Sequence, residues 1–280
     1  MNKHYSRKYS SNWKDYELLD AGGGKKLERF GEIICIRPEI QCYFQSVLPF
    51  TEWEKIAHAE FVEKKKKWVF YKKCSPQWEI FVDNIQVKLL FTAFKHIGIF
   101  PEQYDNWCFL KEHLLENQSF INLFAYTGLA SVFAAKNKAK VVHVDSIKNI
   151  IDWANENKNI NQLENFSLVL EDALTFANRE VKRKKKYNMI WMDPPAFGFG
   201  KNNKKWILEQ KIEELIYTSS LLLSNNGKVI VNTYSTKLEL KTLHEMVKIY
   251  FPNKKIEAFE LWKKSNTEKE VYFGNCIRIY

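Results

Sequence analysis

Apolar positions change rhythm along this chain. From Tyr16 to about residue 90 they gather in short runs of β type. Tyr16–Leu19 precedes a Gly22-Gly23-Gly24 turn, and Leu27–Arg37 is closed by Pro38. Trp68–Lys72 and Trp78–Leu90 follow, separated by Ser75-Pro76. Aromatic and branched residues between Gly, Ser and Pro punctuation predict strands and tight turns. Residues 1–92 are therefore assigned to a small antiparallel β-rich module, with the polar first twelve residues loose.

After about residue 95, apolar runs alternate with stretches of helical period. The predicted strands are Ser119–Phe124, Lys140–Val144, Phe166–Leu170, Tyr187–Met192 and Gly227–Thr233. The predicted helices are Leu129–Lys136, Ile147–Asn161, one from Ala173 to about Arg183, Ile207–Leu223 and Leu238–Tyr250. Lys255–Trp262 and Glu270–Tyr280 close the chain as two strands around a polar turn. Strand–helix alternation with apolar strands predicts a parallel sheet with helices on both faces. Strands joined by a short turn must pair antiparallel. Residues 93–280 thus read as an α/β domain with a mostly parallel sheet and an antiparallel last strand.

Composition changes this picture little. The 280 residues are 45% hydrophobic and 27% charged, which excludes a disordered tail and a disulfide-rich mini-scaffold. No apolar run approaches the ~20 residues of a membrane span, and the N-terminus has no signal-peptide core. A cytoplasmic protein without membrane contact is expected. Cys35, Cys42, Cys74, Cys108 and Cys276 form no CxxC pair and no zinc-finger spacing. They read as scattered reduced thiols, and no metal site is expected.

Charge adds one hint. A net charge of +10 suits a polyanion such as RNA. Only six of the 43 basic residues are Arg, the better bidentate reader of phosphate, so total charge discriminates little. Glu63–Lys67 and Arg179–Lys186 read as solvated turns or helix ends. Lys201–Lys205 is different, because it follows a candidate active-site motif.

The chemistry lies at the strand ends, where open α/β sheets bind ligands. The first strand ends in Asn122-Leu123-Phe124-Ala125-Tyr126-Thr127-Gly128, and Gly128 allows a close backbone approach. The second ends in Asp145, spaced to accept both ribose hydroxyls of an adenosine-containing cofactor. The third ends at Asp172-Ala173, placed to meet an adenine edge, and the fourth at Asp193-Pro194-Pro195-Ala196-Phe197. The first turn lacks GxGxxG, and Tyr126 fills space a pyrophosphate would need. A cofactor with ribose and adenine but no phosphate fits better, which points to S-adenosylmethionine. Each residue alone also has a plain structural reading, as a helix N-cap or a turn. Order and spacing across four strand ends carry the weight.

NLFAYTG, VDSIK, EDA and DPPAF together resemble the class I S-adenosylmethionine-dependent methyltransferases. The likeness is to the branch that includes bacterial large-subunit rRNA methyltransferases acting on cytosine C5 and guanine. It extends to Phe94–Gln103, where Glu102-Gln103 match an acid–Gln pair and Tyr104 stands where a basic residue is expected. The resemblance implies a Rossmann-like seven-stranded sheet. It also implies that Phe100, Glu102 and Gln103 wall the methionine end of the cofactor. Asn122, Phe124, Ala125, Tyr126, Thr127 and Gly128 would line methionine and ribose. Asp145 and Ser146 would hold the ribose, and Asp172 and Ala173 would flank adenine. Asp193, Pro194 and Pro195 would form the floor between cofactor and substrate, and Phe197 would stack on a flipped base.

Cytosine-C5 transfer needs a cysteine nucleophile. Relatives carry it just after the fifth strand, where this chain has Thr233-Tyr234-Ser235-Thr236. A nitrogen acceptor is therefore favoured. The leading reading is an enzyme that methylates RNA, with rRNA as the acceptor and the β module and Lys201–Lys205 gripping phosphates. The alternatives are a methyltransferase for a small molecule or protein, and a non-catalytic RNA-binding protein on the same scaffold.

Overall fold

A computed structural model describes residues 5–199, 205–235 and 237–280. Its first elements are β1 (Ser6–Tyr9), β2 (Tyr16–Gly22), β3 (Lys25–Phe30), β4 (Ile33–Pro38), α1 (Phe50–Ile56), β5 (Ala59–Val62), β6 (Lys67–Phe70), β7 (Gln77–Val82) and β8 (Ile85–Leu90). Next come α2 (Tyr104–His113), β9 (Ser119–Leu123), α3 (Leu129–Lys136), β10 (Lys140–Asp145), α4 (Lys148–Ile160), β11 (Phe166–Leu170), α5 (Ala173–Lys182) and β12 (Tyr187–Met192). The chain ends with β13 (Phe197–Phe199), β14 (Lys205–Ile207), α6 (Leu208–Leu222), β15 (Leu223–Thr233), α7 (Leu240–Tyr250), β16 (Ile256–Lys264) and β17 (Glu270–Ile279). Two compact units result. One comprises the chain up to Arg7, Asn106–Glu260 and Gly274–Tyr280, and the other Lys8–Asp105 and Leu261–Phe273.

The large sheet runs β11-β10-β9-β12-β15-β17-β16-β1. Strands β9 to β12 and β15 pair in parallel, and β17 lies antiparallel to β15. This is the expected Rossmann-like architecture with one strand more than the seven predicted. The extra strand, β1, comes from the segment read as loose. It is four residues long and almost wholly exposed, so no apolar pattern marks it.

Alternation along the strands divides two cores. Ile121 and Leu123, Ile190 and Met192, Val229 and Val231, and Ile277 and Ile279 bury one face together with residues of α5, α6 and α7. The other face buries polar side chains. Asn122 donates to the Ser131 hydroxyl (3.0 Å), which lies 3.1 Å from His143 Nδ1. Asn106 of α2 accepts from Arg278 Nε at 3.0 Å and Nη2 at 2.8 Å and donates to Asn232 at 3.3 Å. Burial holds His143 neutral, with its pKa lowered to about 3. Pairing is incomplete, since His143 Nε2 and Asn232 Nδ2 are buried without a hydrogen-bond partner.

The second unit holds a five-stranded sheet, β2-β3-β4-β5-β6, and the β7–β8 hairpin. Leu27–Arg37, read as one strand, is two, because Gly31 turns the chain at φ +62°. Trp78–Leu90 likewise folds back at Asp83. The sheet is not wholly antiparallel: β4 and β5 are parallel, with α1 in the crossover between them. Asp20, on the edge strand β2, is fully buried. Its carboxylate accepts from the backbone amides of Ala21, Val47 and Leu48, from Trp53 Nε1 and from the Thr267 hydroxyl. No helix among the described residues is long and apolar enough to cross a membrane.

Candidate active site

Strand order reverses at β9, whose neighbours are β10 on one side and β12 on the other. The carboxyl ends of β11, β10, β9 and β12 therefore form one row, and it is the row that carries the predicted residues. Backbone hydrogen bonds tie it together. Ala125 N donates to Val144 O at 3.0 Å, Glu171 N to Asp145 O at 3.0 Å and Asp193 N to Leu123 O at 3.4 Å.

The turn after β9 is strained. Phe124 (φ +59°) and Tyr126 (φ +52°) are left-handed, as is Gly128 (φ +89°). For bulky residues that backbone costs about 1–3 kcal/mol each and persists only where surroundings impose it. The surroundings are visible here. A Cβ on Gly128 would meet His143 Cε1 at 3.2 Å and Ala154 Cβ at 3.3 Å. Thr127 is buried, and its carbonyl accepts from Asn157 at 2.9 Å. Asp145 Oδ2 accepts from Tyr126 N at 3.0 Å, while Oδ1 accepts from Ile147 N at 3.1 Å. Asp145 thus braces the strained turn and opens α4, with Ser146 half-buried between. Burial pushes the Asp145 pKa up, and the amides of Tyr126, Ile147 and Ser146 oppose that rise.

Asp172 caps α5. Its Oδ1 accepts from Thr175 N at 2.9 Å and from the Thr175 hydroxyl at 2.7 Å, so the N-cap reading of this residue is real. Ala173 is 2% exposed behind it.

Beyond β12, Asp193 is half-buried, Pro194 is buried and Pro195 exposed. The chain then forms a β13–β14 hairpin that pairs Phe197 with Ile207 and Gly198 with Trp206. Phe197 stays 51% exposed, as a stacking ring requires, with the Lys205 ammonium 5.4 Å from its centroid. A cleft of about 400 Å³ opens here, lined by residues that include Phe197, Lys205, Glu209, Tyr234, Ser235 and Lys237. The Ser235 hydroxyl donates to Glu209, which lowers that carboxyl's pKa. Of the expected phosphate-gripping segment, Lys205 lies in the cleft wall, and residues 201–204 fall outside the described residues.

Sequence reasoning missed Trp206. Its indole N–H donates to Pro195 O at 2.7 Å, and its ring packs on Phe124 at 4.6 Å. The available signal was a lone aromatic among lysines just before a helix. Phe100, Glu102 and Gln103 belong to the other unit, where Pro101–Gln103 is a short 3-10 turn. Glu102 and Gln103 are buried there. Burial raises the Glu102 pKa, against the pull of Lys26. Among the described residues no cysteine lines the cleft, and Cys276 is fully buried in β17.

The chain has relatives among known proteins. The model of the family described as Conserved hypothetical protein 95 matches residues 103–261. The crystal structure of the SAM dependent methyltransferase from Agrobacterium tumefaciens is 29% identical and covers 100% of this chain and 97% of its own, with a TM-score of 0.92. The Ribosomal RNA large subunit methyltransferase K/L of Syntrophotalea carbinolica is 32% identical over 49% of this chain, and that of Buchnera aphidicola 29% identical over 70%. These matches span 20% and 29% of the length of those two relatives.

Proposed function

This chain belongs to the family described as Conserved hypothetical protein 95, and on that footing we propose that it transfers a methyl group from S-adenosylmethionine to RNA, with rRNA as the substrate and the cytoplasm as its place of action. The observation that carries this reading is the row of strand ends. There a half-buried carboxylate, Asp145, braces an aromatic turn beside the rigid Asp193-Pro194-Pro195 segment and an exposed ring. The donor set suits a diol and an uncharged adenine. Phe124 and Tyr126 fill a turn that a phosphate cradle would need to keep small.

S-adenosylmethionine, when bound, supplies an electrophilic methyl group on a sulfonium. The chain's part is positioning, which can contribute several kcal/mol to such a transfer. Asp145 accepts from the ribose hydroxyls, with Ser146 beside it. Phe124, Ala125, Tyr126, Thr127 and Gly128 shape the wall for methionine and ribose, with Asn122 behind them. Ala173 leaves room for adenine, and Asp172 holds the adjoining helix end. Asp193, Pro194 and Pro195 form the floor. Phe197 stacks on the acceptor base, while Lys205 and Lys237 meet its phosphates. Residues 93–280 are the transferase domain, and residues 1–92 are a β module that grips RNA. The lack of a cysteine in the cleft favours a nitrogen acceptor over cytosine C5.

The test is transfer of label from S-adenosylmethionine to RNA of cells lacking the gene. Label that depends on Asp193, with Asp193→Ala as the control, is the expected result, and mass spectrometry of the nucleosides names the atom. No label in RNA, with cofactor binding intact by calorimetry, would overturn the reading and favour a metabolite or protein acceptor.

A further inference from the structure

The opposite edge of the large sheet, where the parallel strands begin, is crowded with cations. Lys182–Lys186 (KRKKK) run from the last turn of α5 to the start of β12, and all five are exposed. Tyr187 pairs with Leu223 at the head of β15. The Lys186 ammonium donates to Leu221 O at 2.7 Å and Leu223 O at 3.3 Å. Lys254 donates to the next carbonyls of that turn, Asn225 O at 2.7 Å and Gly227 O at 3.1 Å. The Lys255 carbonyl accepts from Tyr280 N at 2.9 Å, where β16 begins and β17 ends. Lys140 starts β10 beside Ser119, whose hydroxyl reaches Lys186 O at 3.3 Å. Separate elements thus bring their cations to one edge.

Local structure explains only part of this. The dipole of α5 favours Lys182 and Arg183 at its C-terminus, and Arg183 also pairs with Glu180 at 2.9 Å. Lys184, Lys185, Lys228 and Lys255 come from other positions and have no carboxylate partner among the described residues. Like charges crowd instead. Burial lowers the Lys254 pKa, and Lys228 lowers it further. Self-repulsion of this kind destabilises a fold unless a polyanion supplies the counter-charge.

We propose that this edge is a second RNA-binding face, which holds phosphates of the same RNA whose nucleotide enters the cleft. The inference rests on the RNA-methylation reading above. Six-residue strands such as β12 separate the two edges by roughly 20 Å. An RNA of two or three nucleotides is too short to span both, so it engages the cleft alone. Contacts to phosphates carry no sequence information, which fits a face that orients rather than selects.

The test uses the full chain with Lys184→Gln, Lys185→Gln and Lys228→Gln combined. The control removes equal charge from α6 and α7 through Lys211→Gln, Lys241→Gln and Lys248→Gln. Probes are a large-subunit rRNA transcript and unstructured RNAs of two or three nucleotides. For the transcript, the first variant is expected to raise KM about tenfold and to flatten the salt slope of log K by about two. Its kcat, its cofactor affinity by calorimetry and its activity on the short RNAs stay at wild-type levels. The control leaves all of these unchanged. A transcript KM and salt slope equal to the control's would overturn the face while leaving RNA methylation standing. So would loss of binding to anionic lipid vesicles with RNA affinity intact. A wild-type protein that labels no RNA would overturn the underlying reading, and this inference with it.

Discussion

The indole N–H of Trp206 donates to the carbonyl of Pro195 at 2.7 Å, and the same ring rests on Phe124. One buried side chain thereby links the turn after β9 to the turn after β12. Both turns belong to the proposed site, one on the cofactor side and one on the acceptor side. Trp206→Phe keeps a ring against Phe124 but leaves the Pro195 carbonyl without its donor. A stability loss of about 1–3 kcal/mol is expected. In steady-state kinetics, kcat should fall about tenfold or more while cofactor affinity changes little. Equal losses in both quantities would mean that Trp206 serves only packing.

Gly128 is expected to tolerate no side chain. Gly128→Ala must hold a left-handed backbone at φ +89° with its methyl 3.2 Å from His143. The combined cost is about 2–3 kcal/mol, measured by denaturant unfolding. A variant as stable as wild type would show that the turn can relax.

Asp145→Asn tests the brace and the ribose contact together. Burial raises the folded pKa of Asp145, so the folded state favours its protonated form. The stability that shift lends is complete below the unfolded pKa and is lost as pH rises through the folded one. Asn carries one acceptor oxygen where the carboxylate carries two, so its NH2 group must face the amide of Tyr126 or of Ile147. A stability loss of about 1–3 kcal/mol is expected at pH 7. Cofactor affinity should also fall about tenfold or more, because the acceptor of two ribose hydroxyls is weakened. Calorimetry and thermal unfolding at pH 7 check both halves. A variant that matches wild type in both contradicts the assignment.

Acid should act first on the second unit. Burial pushes the Glu28 pKa up, but Arg37 and Lys26 outweigh it, with hydrogen bonds from Arg37 and Tyr16, and hold it at about 2 against an ordinary 4.5. Its folded pKa is depressed, so its contribution is complete above the unfolded value and is lost as pH falls from about 4.5 towards 2. The amount is about 3 kcal/mol. Tryptophan fluorescence should report unfolding in that window. Glu28→Gln should flatten the dependence and be destabilised at pH 7, where Arg37 is left buried without its partner. An acid profile unchanged by the substitution would refute this.

The large sheet was readable because its strands are apolar and its helices have clear ends. Phe166–Leu170, Tyr187–Met192 and Leu129–Lys136 lie where the pattern predicts. Helix α2 was not foreseen, since it buries Asn106 alongside Trp107 and Phe109 and so blurs the apolar stripe. Helix α1 has seven residues and buries only Trp53, too little for a period to show. The turns at Gly31 and Asp83 lie between stretches that both alternate like strands, so each pair was read as one. At the site, residue types at strand ends were visible in sequence. The bond between Trp206 and Pro195 was not, because it depends on a hairpin of three-residue strands. The brace from Asp145 to Tyr126 was equally hidden, because it crosses between adjacent strands.

The second unit is closed by the far end of the chain. Asn266 N donates to Leu18 O, Ser10 N to Trp262 O, and Lys263 to the carbonyls of Ser10 and Ser11. Thr267 completes the shell of Asp20 from 247 residues away. During synthesis at about 5–20 residues per second, Asp20 therefore waits on the order of ten to fifty seconds for its last donor. Over that interval the Asp20 carboxyl is only partly satisfied, while the large sheet is being made. A pause or truncation before Leu261 leaves Asp20 without the Thr267 hydroxyl, and Ser10, Ser11 and Leu18 without the donors and acceptors that Trp262, Lys263 and Asn266 bring.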